Sequence, residues 1–194
     1  HFVFRSSPSG PRLYGEVVHR NARTRFPEAR REVPRSEFQW YLDFDGNGAF
    51  GGCIGSGGAD RCLEKFGMAG DLPVAGDWDG TRSFRIGVFR PSTGQWYFDL
   101  DGNGTWNSGS DRQLGRFGRS GDLPVVGDWD GTGSVRIGVF RPSTGTWYFD
   151  LDGDGTFGGC DNSGGTDRCG SRFGRDGDLP VAGDWDGSAI TRIG

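Results

Sequence analysis

The sequence predicts an all-β protein built from three tandem, four-stranded units, and three observations carry that prediction. Glycine supplies 38 of the 194 residues, nearly three times the usual ~7%, so turns are frequent. Apolar residues gather in short runs such as "IGVFR" and "TWYFDLD", which have strand length rather than helix length. The chain also repeats itself: "GDLPVAGDWDG" begins at Gly70, "GDLPVVGDWDG" at Gly121 and "GDLPVAGDWDG" at Gly177, the self-similarity of a repeat architecture. Seven tryptophans and fifteen phenylalanines argue against disorder, because they supply too much apolar area to leave in water.

The first ten residues contain "VFRSSPSG", in which Val3, Phe4 and Arg5 align with Val88, Phe89 and Arg90 of the repeat. The last repeat breaks off at "RIG", so residues 1–10 are expected to form the strand that completes it. The first residue is histidine rather than methionine, the start expected of a processed chain or a fragment. Residues 11–38 form an insertion with seven arginines and four glutamates, net +3 in a chain whose remainder sums to −7. Its interleaved glutamates and the lack of a basic aromatic platform argue against nucleic acid and for a solvated insertion or contact arm. No run approaches the ~18 apolar residues that would cross a bilayer.

Residues 39–194 divide into units of about 39–87, 88–138 and 139–194. Four strands are expected in each, as in "LPVVGDW", "VRIGVFRP", "TWYFDLD" and a weaker one around "DRQLGRFG". In the third strand Trp96, Phe98 and Leu100 alternate with Tyr97, Asp99 and Asp101, giving one apolar face. "RPSTG" supplies the proline and glycine of a hairpin turn. Four antiparallel strands in about fifty residues is the size of one propeller blade.

"FG", then "GDLPVVGDWDG", then "IGVFRPSTGTWY" resemble the FG-GAP or VCBS-type repeats of bacterial surface and secreted proteins, which are related to the blades of integrin α-subunit propellers. The resemblance covers about residues 38–194 and the first ten. It implies propeller-type blades, calcium loops and an extracellular or cell-surface location. The family's calcium loop has the form D-x-D/N-x-D-G-x-x-D, in which alternate side chains converge on one ion. At the matching positions stand Asp77, Asp79, Thr81 and Arg85; Asp128, Asp130, Thr132 and Arg136; and Asp184, Asp186, Ser188 and Arg192. A hydroxyl replaces the third carboxylate and a cation the closing one, so each GDWDG turn is expected to form a metal-free Asp–Arg clasp. Trp78, Trp129 and Trp185 are assigned to packing.

A second set of turns keeps its acids. "DFDGNG", "DLDGNG" and "DLDGDG" offer Asp43, Asp45 and Asn47; Asp99, Asp101 and Asn103; and Asp150, Asp152 and Asp154, with an Asp–Arg pair downstream at Asp60, Asp111 and Asp167. Three calcium sites are expected here, since hard cations want several oxygens at close range and glycine allows the sharp turn. A hairpin turn alone is the competing reading. The cysteines sit in the two longer of these loops, so Cys53 is expected to pair with Cys62 and Cys160 with Cys169, with intermolecular bridges as the alternative.

Aspartates that recur identically in glycine-rich turns do not make the asymmetric constellation of a catalytic centre, and no enzyme is expected. Two functions remain. One is an extracellular calcium-binding building block that joins head to tail into a filament or surface structure. The other is a carbohydrate-binding lectin that closes into an oligomeric ring and recognises a cell-surface glycan. The strand of Phe2, Val3, Phe4 and Arg5 matches the broken last repeat at Ile190, Arg192 and Ile193, and an open filament is favoured over a closed two-chain ring because the arginine-rich insertion gives the joint contacts that a simple propeller seam would not need. A ring of only three blades falls below the usual four to eight, which points the contact to a neighbouring copy.

Overall fold

The computed structural model describes residues 39–64, 66–170 and 172–194. The expected completing strand, with Phe2, Val3, Phe4 and Arg5, and the arginine-rich insertion lie outside the described residues. The described chain is all-β, with helix confined to two single 3-10 turns at Ile54–Ser56 and Asp161–Ser163. It divides into two compact bodies, Gln39–Leu63 and Glu64–Gly194.

In the first body β1 (Gln39–Leu42) pairs with β2 (Arg61–Glu64) in a two-stranded sheet. Tyr41 on β1 meets Phe50 edge to face, ring centroids 5.3 Å apart, and the Cys53–Cys62 disulfide closes the loop between the strands.

The second body contains two four-stranded antiparallel sheets. The first runs β3 (Leu72–Gly76), β4 (Arg85–Arg90), β5 (Gln95–Phe98), β6 (Arg112–Leu114), and the second runs β7 (Leu123–Gly127), β8 (Arg136–Arg141), β9 (Thr146–Phe149), β10 (Arg168–Gly170). A two-stranded sheet of β11 (Ala182–Gly183) and β12 (Arg192–Ile193) follows. The four-strand pattern expected from the repeat is therefore present twice. The boundaries at 87/88 and 138/139 fall inside β4 and β8, because each sheet begins with the GDLPV strand rather than with VFRP.

The residues explain the strands. Phe89 pairs with Trp96 and Phe140 with Trp147 across the β4–β5 and β8–β9 ladders, which stacks their rings at 4.8 and 4.6 Å. Between them "RPSTG" turns: the Gly94 N–H donates to the Arg90 carbonyl at 2.8 Å, and Gly94 has φ of 74°, which favours glycine. Trp78, Phe89, Trp96, Phe98 and Phe117 form one buried cluster with Ile137 and Val139 of the next sheet. A buried tryptophan removes roughly 150–250 Å² from water, which at ~25 cal/mol per Å² is roughly 4–6 kcal/mol before conformational entropy. Consecutive repeats meet through their first strands, β3 on β7 and β7 on β11. Glycine at the end of that strand permits the approach: a Cβ on Gly76 would lie 2.7 Å from the Trp78 ring and 3.0 Å from Val135.

Candidate metal centres

Each repeat carries two aspartate turns with one backbone design. In both, the first carboxylate accepts an N–H from five residues downstream: Gly48 to Asp43 (2.9 Å), Gly104 to Asp99 (2.8 Å) and Gly155 to Asp150 (3.0 Å) in the acidic loops, and Arg82 to Asp77 (2.8 Å), Gly133 to Asp128 (2.7 Å) and Ala189 to Asp184 (2.9 Å) in the GDWDG turns. The second carboxylate accepts from two residues on, as Asn103 does to Asp101 at 3.0 Å and Thr132 to Asp130 at 3.2 Å. Such Asx turns are the local economy of aspartate in tight loops. The donor five residues on has positive φ, about which Arg82 and Ala189, both at 65°, have no glycine's freedom.

What differs is the side chain that follows. In the GDWDG turns a hydroxyl donates to the second acid, Thr81 to Asp79 at 2.6 Å and Thr132 to Asp130 at 2.7 Å. Arginine then closes two of the three: Arg136 to Asp130 and Arg192 to Asp186, both at 3.1 Å. In these two turns the guanidinium meets the second carboxylate alone, not both acids as expected, because backbone amides already occupy both oxygens of Asp128 and of Asp184; in the first turn Asp77 Oδ1 is buried without a hydrogen-bond partner. The Thr81 hydroxyl and N–H lower the Asp79 pKa, with the Arg85 charge adding to them, but the Arg85 Nε is buried without a hydrogen-bond partner. Asp186 is driven down to about 2, chiefly by the Ser188 hydroxyl. Trp78 and Trp129 are buried and packed as expected, at 4.3 Å from the Phe98 ring and 4.7 Å from Phe149, whereas Trp185 is exposed.

In the acidic loops a further carboxylate takes the arginine's place. Asp43, Asp45 and Asp60 bring one oxygen each within 4.8 Å of one another, and so do Asp99, Asp101 and Asp111, and Asp150, Asp152 and Asp154. Of the three downstream acids, Asp60 and Asp111 belong to their clusters, whereas in the third loop Asp154 and not Asp167 makes up the convergent three; each downstream acid is held by a backbone amide, Asp60 accepting from Gly51 at 2.6 Å, Asp111 from Leu100 at 2.9 Å and Asp167 from Gly158 at 2.7 Å. Asn47 and Asn103 hold their neighbouring acids through side-chain amides at 2.6 and 2.8 Å.

The electrostatics divide these acids. Desolvation pushes the Asp150 carboxyl up to about 6 and raises Asp99 and Asp167 as well, with like charges adding to it. Exposed members go the other way: the Gly48 N–H lowers Asp43, the Ser110 hydroxyl lowers Asp101, and the Asp154 N–H lowers Asp152. A buried carboxylate beside other carboxylates is an uncompensated charge. A divalent ion would relieve it, and the donors are all oxygens, as calcium prefers.

Both cysteine pairs are bonded, Cys53–Cys62 and Cys160–Cys169. Each ring sets the strand that begins at the downstream acid, since Cys53 bridges to Asp60 and Cys160 to Asp167. The shorter middle loop does the same by hydrogen bonds, with the Asn107 N–H on Asp111 at 2.7 Å and the Asp111 N–H on the Asn107 carbonyl at 2.8 Å.

One constellation escaped the sequence reading. Arg90 bonds Asp71 in a fork, both contacts 2.8 Å, and Arg141 does the same with Asp122; each guanidinium also covers a tyrosine ring, Tyr97 or Tyr148, at 4.4 Å. The signal was the recurrence of Asp in "GDLP" nineteen residues before Arg in "VFRP". No helix of the described residues is long and apolar enough to cross a membrane. Comparison with protein-family models, with characterised proteins and with solved structures finds no match to this chain.

Proposed function

We propose that this chain is an extracellular calcium-binding repeat protein whose four-stranded sheets are propeller-type blades and whose copies join head to tail into a filament or surface structure. The observation that carries the reading is the pairing of two electrostatic versions of one turn. In two of the three GDWDG turns an arginine pairs with the second acid, whereas each acidic loop gathers three carboxylates within 4.8 Å. The acidic version would hold calcium through Asp43, Asp45, Asn47 and Asp60; Asp99, Asp101, Asn103 and Asp111; and Asp150, Asp152, Asp154 and Asp167, with backbone carbonyls completing the shell. The two disulfides fit an oxidising compartment. The resemblance to FG-GAP and VCBS repeats agrees with the compartment, while the proposed ions sit in the acidic loops and not at the GDWDG positions that match the family's calcium loop.

The role of calcium is structural. It neutralises acids that hold the loop between the third and fourth strands, so it fixes the last strand of each sheet. Isothermal calorimetry on the intact, oxidised chain tests this, with three calcium ions per chain expected at Kd in the ~0.1–1 mM range of extracellular modules. Heat of dilution alone up to 10 mM calcium, with an unchanged unfolding temperature, would end the calcium reading. Electron microscopy of the same sample tests assembly, the expected result being filaments or a lattice that form without added sugar.

A further inference from the structure

In each four-stranded sheet the GDWDG turn and the acidic loop stand at the same end, because the first and third strands of an antiparallel sheet run the same way and one turn follows each of them. An arginine crosses between the two turns in each direction. Arg112, next to the downstream acid of the middle acidic loop, donates to the Trp78 carbonyl of the GDWDG turn at 3.0 Å, and Arg168 donates to the Trp129 carbonyl at 2.9 Å. Arg85 and Arg136, the first residues of β4 and β8, lean the other way. A Cβ on Gly102 would lie 2.5 Å from the Arg85 guanidinium, and one on Gly153 would lie 3.9 Å from Arg136 Nε. Gly102 stands between Asp101 and Asn103, and Gly153 between Asp152 and Asp154. Each guanidinium therefore lies against the run of acids itself.

The same two side chains also serve the GDWDG acids, and the two sheets hold them at different points between these partners. Arg136 reaches Asp130 at 3.1 Å, and its charge extends to Asp152, whose carboxyl the Asp154 N–H chiefly holds low. Arg85 sits closer to the acidic loop, with its Nε buried and without a hydrogen-bond partner. On Asp79 it acts only through charge, behind the Thr81 hydroxyl and N–H. A guanidinium does not shed its proton, so whatever enters the acidic loop meets a permanent cation. We propose that Arg85 and Arg136 are built-in competitors of calcium, each a counter-ion shared between the two turns of its sheet that weakens binding in the acidic loop it leans on. This rests on the calcium reading above and assigns to it the residues that set its strength.

The sign of the effect follows from charge. Without metal, Asp99 and Asp150, both buried among other carboxylates, gain from a neighbouring cation. The same cation repels a divalent ion in that loop, and a unit charge facing a divalent ion through a loop open to water is worth about a factor of 5 in binding. Arg136 has Asp130 to receive it, so repulsion from a filled acidic loop presses it onto the GDWDG acid instead of out into solvent. One side chain thus balances the acids when the loop is empty and reinforces the neighbouring turn when the loop is full. Such a competitor keeps clustered carboxylates in the weak affinity range of extracellular modules.

Calorimetric titration of the full, oxidised chain with calcium tests this one loop at a time. Asp45→Asn with Asp101→Asn disables the first two acidic loops, so the titration reads the third. In that background Arg136→Gln is expected to tighten calcium binding about 5-fold, whereas Arg136→Lys, which keeps the charge, stays within about twofold of the parent. Arg85→Gln should do the same for the middle loop in a background of Asp45→Asn with Asp152→Asn. That loop is an independent arm should circular dichroism show that Arg136→Gln does not fold. Arg175→Gln removes an equal charge from a side chain that is 88% exposed and is expected to leave the affinity unchanged. Folded glutamine variants that bind calcium no more tightly than the parent, or tightening reproduced by Arg136→Lys or Arg175→Gln, overturn the competitor role and leave the calcium reading standing. A parent chain that binds no calcium overturns both.

Discussion

Raising the pH from about 4 to 7 in the presence of a chelator is expected to weaken this fold, the reverse of the common trend in which proteins gain stability as they leave acid. The cause is Asp150, 1% exposed, whose carboxyl desolvation raises from 3.8 to about 6. Asp99 and Asp167 are raised for the same reason. An acid whose folded pKa is raised contributes stability that is complete below its unfolded pKa and is lost as pH climbs through the folded value. For Asp150 that window runs from the ordinary 3.8 to about 6. A shift of about two units is worth up to ~3 kcal/mol, and relaxation of the loop and screening at its exposed neighbours bring it toward ~1 kcal/mol. The acids held low, Asp43, Asp79, Asp101, Asp130, Asp152 and Asp186, have the opposite sign, but their contribution is complete above the ordinary value and lost only as pH falls below it. They do not mask the window. At roughly 2–4 °C per kcal/mol for a chain of this size, melting temperature should fall by about 2–12 °C from Asp150 alone. Calcium at a hundredfold excess over Kd adds ~2.7 kcal/mol per site and reverses the slope. Calorimetric melting in half-unit pH steps, with EDTA and then with calcium, reads both effects. Asp150→Asn should remove Asp150's share of the fall and the third site's calcium gain together. A melting temperature that rises steadily between pH 4 and 6.5 in EDTA, unchanged by Asp150→Asn, would refute the reasoning.

Replacing Arg141 with methionine strands Asp122, which is buried, and is expected to cost ~3–5 kcal/mol in urea unfolding; lysine should not rescue it, because the contact is a two-pronged fork. Opening the Cys160–Cys169 ring with a serine pair should cost ~2.5–3 kcal/mol on the chain-entropy model and weaken calcium at the third loop while leaving the disulfide-free middle loop unchanged, as calorimetry would resolve. Asp130→Asn should leave the calcium stoichiometry at three, since the GDWDG turn is closed by Thr132 and Arg136; a loss of one ion would place calcium in the wrong turn.

The strands were legible because this chain punctuates itself. Pro91 and Gly94 mark the hairpin, and the Trp96–Phe98 alternation gives the buried face directly. The acidic loops were legible for a related reason: their first acids are two residues apart, so local spacing brings those oxygens together, and the loop that follows returns Asp60 and Asp111 to them. Long-range pairing was harder. Asp71 and Arg90 are nineteen residues apart and look separately like a cap and a surface charge; only the β3–β4 register, with Leu72 opposite Phe89, makes them neighbours. The clasp was misjudged in detail for the same kind of reason. Spacing placed Arg136 near two acids, but it does not reveal that three backbone amides had already taken Asp128. Trp185 carries the same letters on either side as Trp78 and Trp129, yet its exposure depends on a strand that its own sheet does not contain.

The placement of the two turn types sets an order in which the molecule comes apart. The GDWDG turn joins the first strand to the second, and the first strands are those that carry one repeat against the next, β3 on β7. The acidic loop joins the third strand to the fourth, and β6 is a sheet edge. If the acidic loops hold calcium as proposed, withdrawing it would loosen the periphery and spare the spine. Amide protons of β6 and β10 should exchange with deuterium first, those of β3 and β7 last, and returning the ion should restore protection without refolding the whole chain. A surface built from such units would soften and stiffen with the calcium around it while keeping its length.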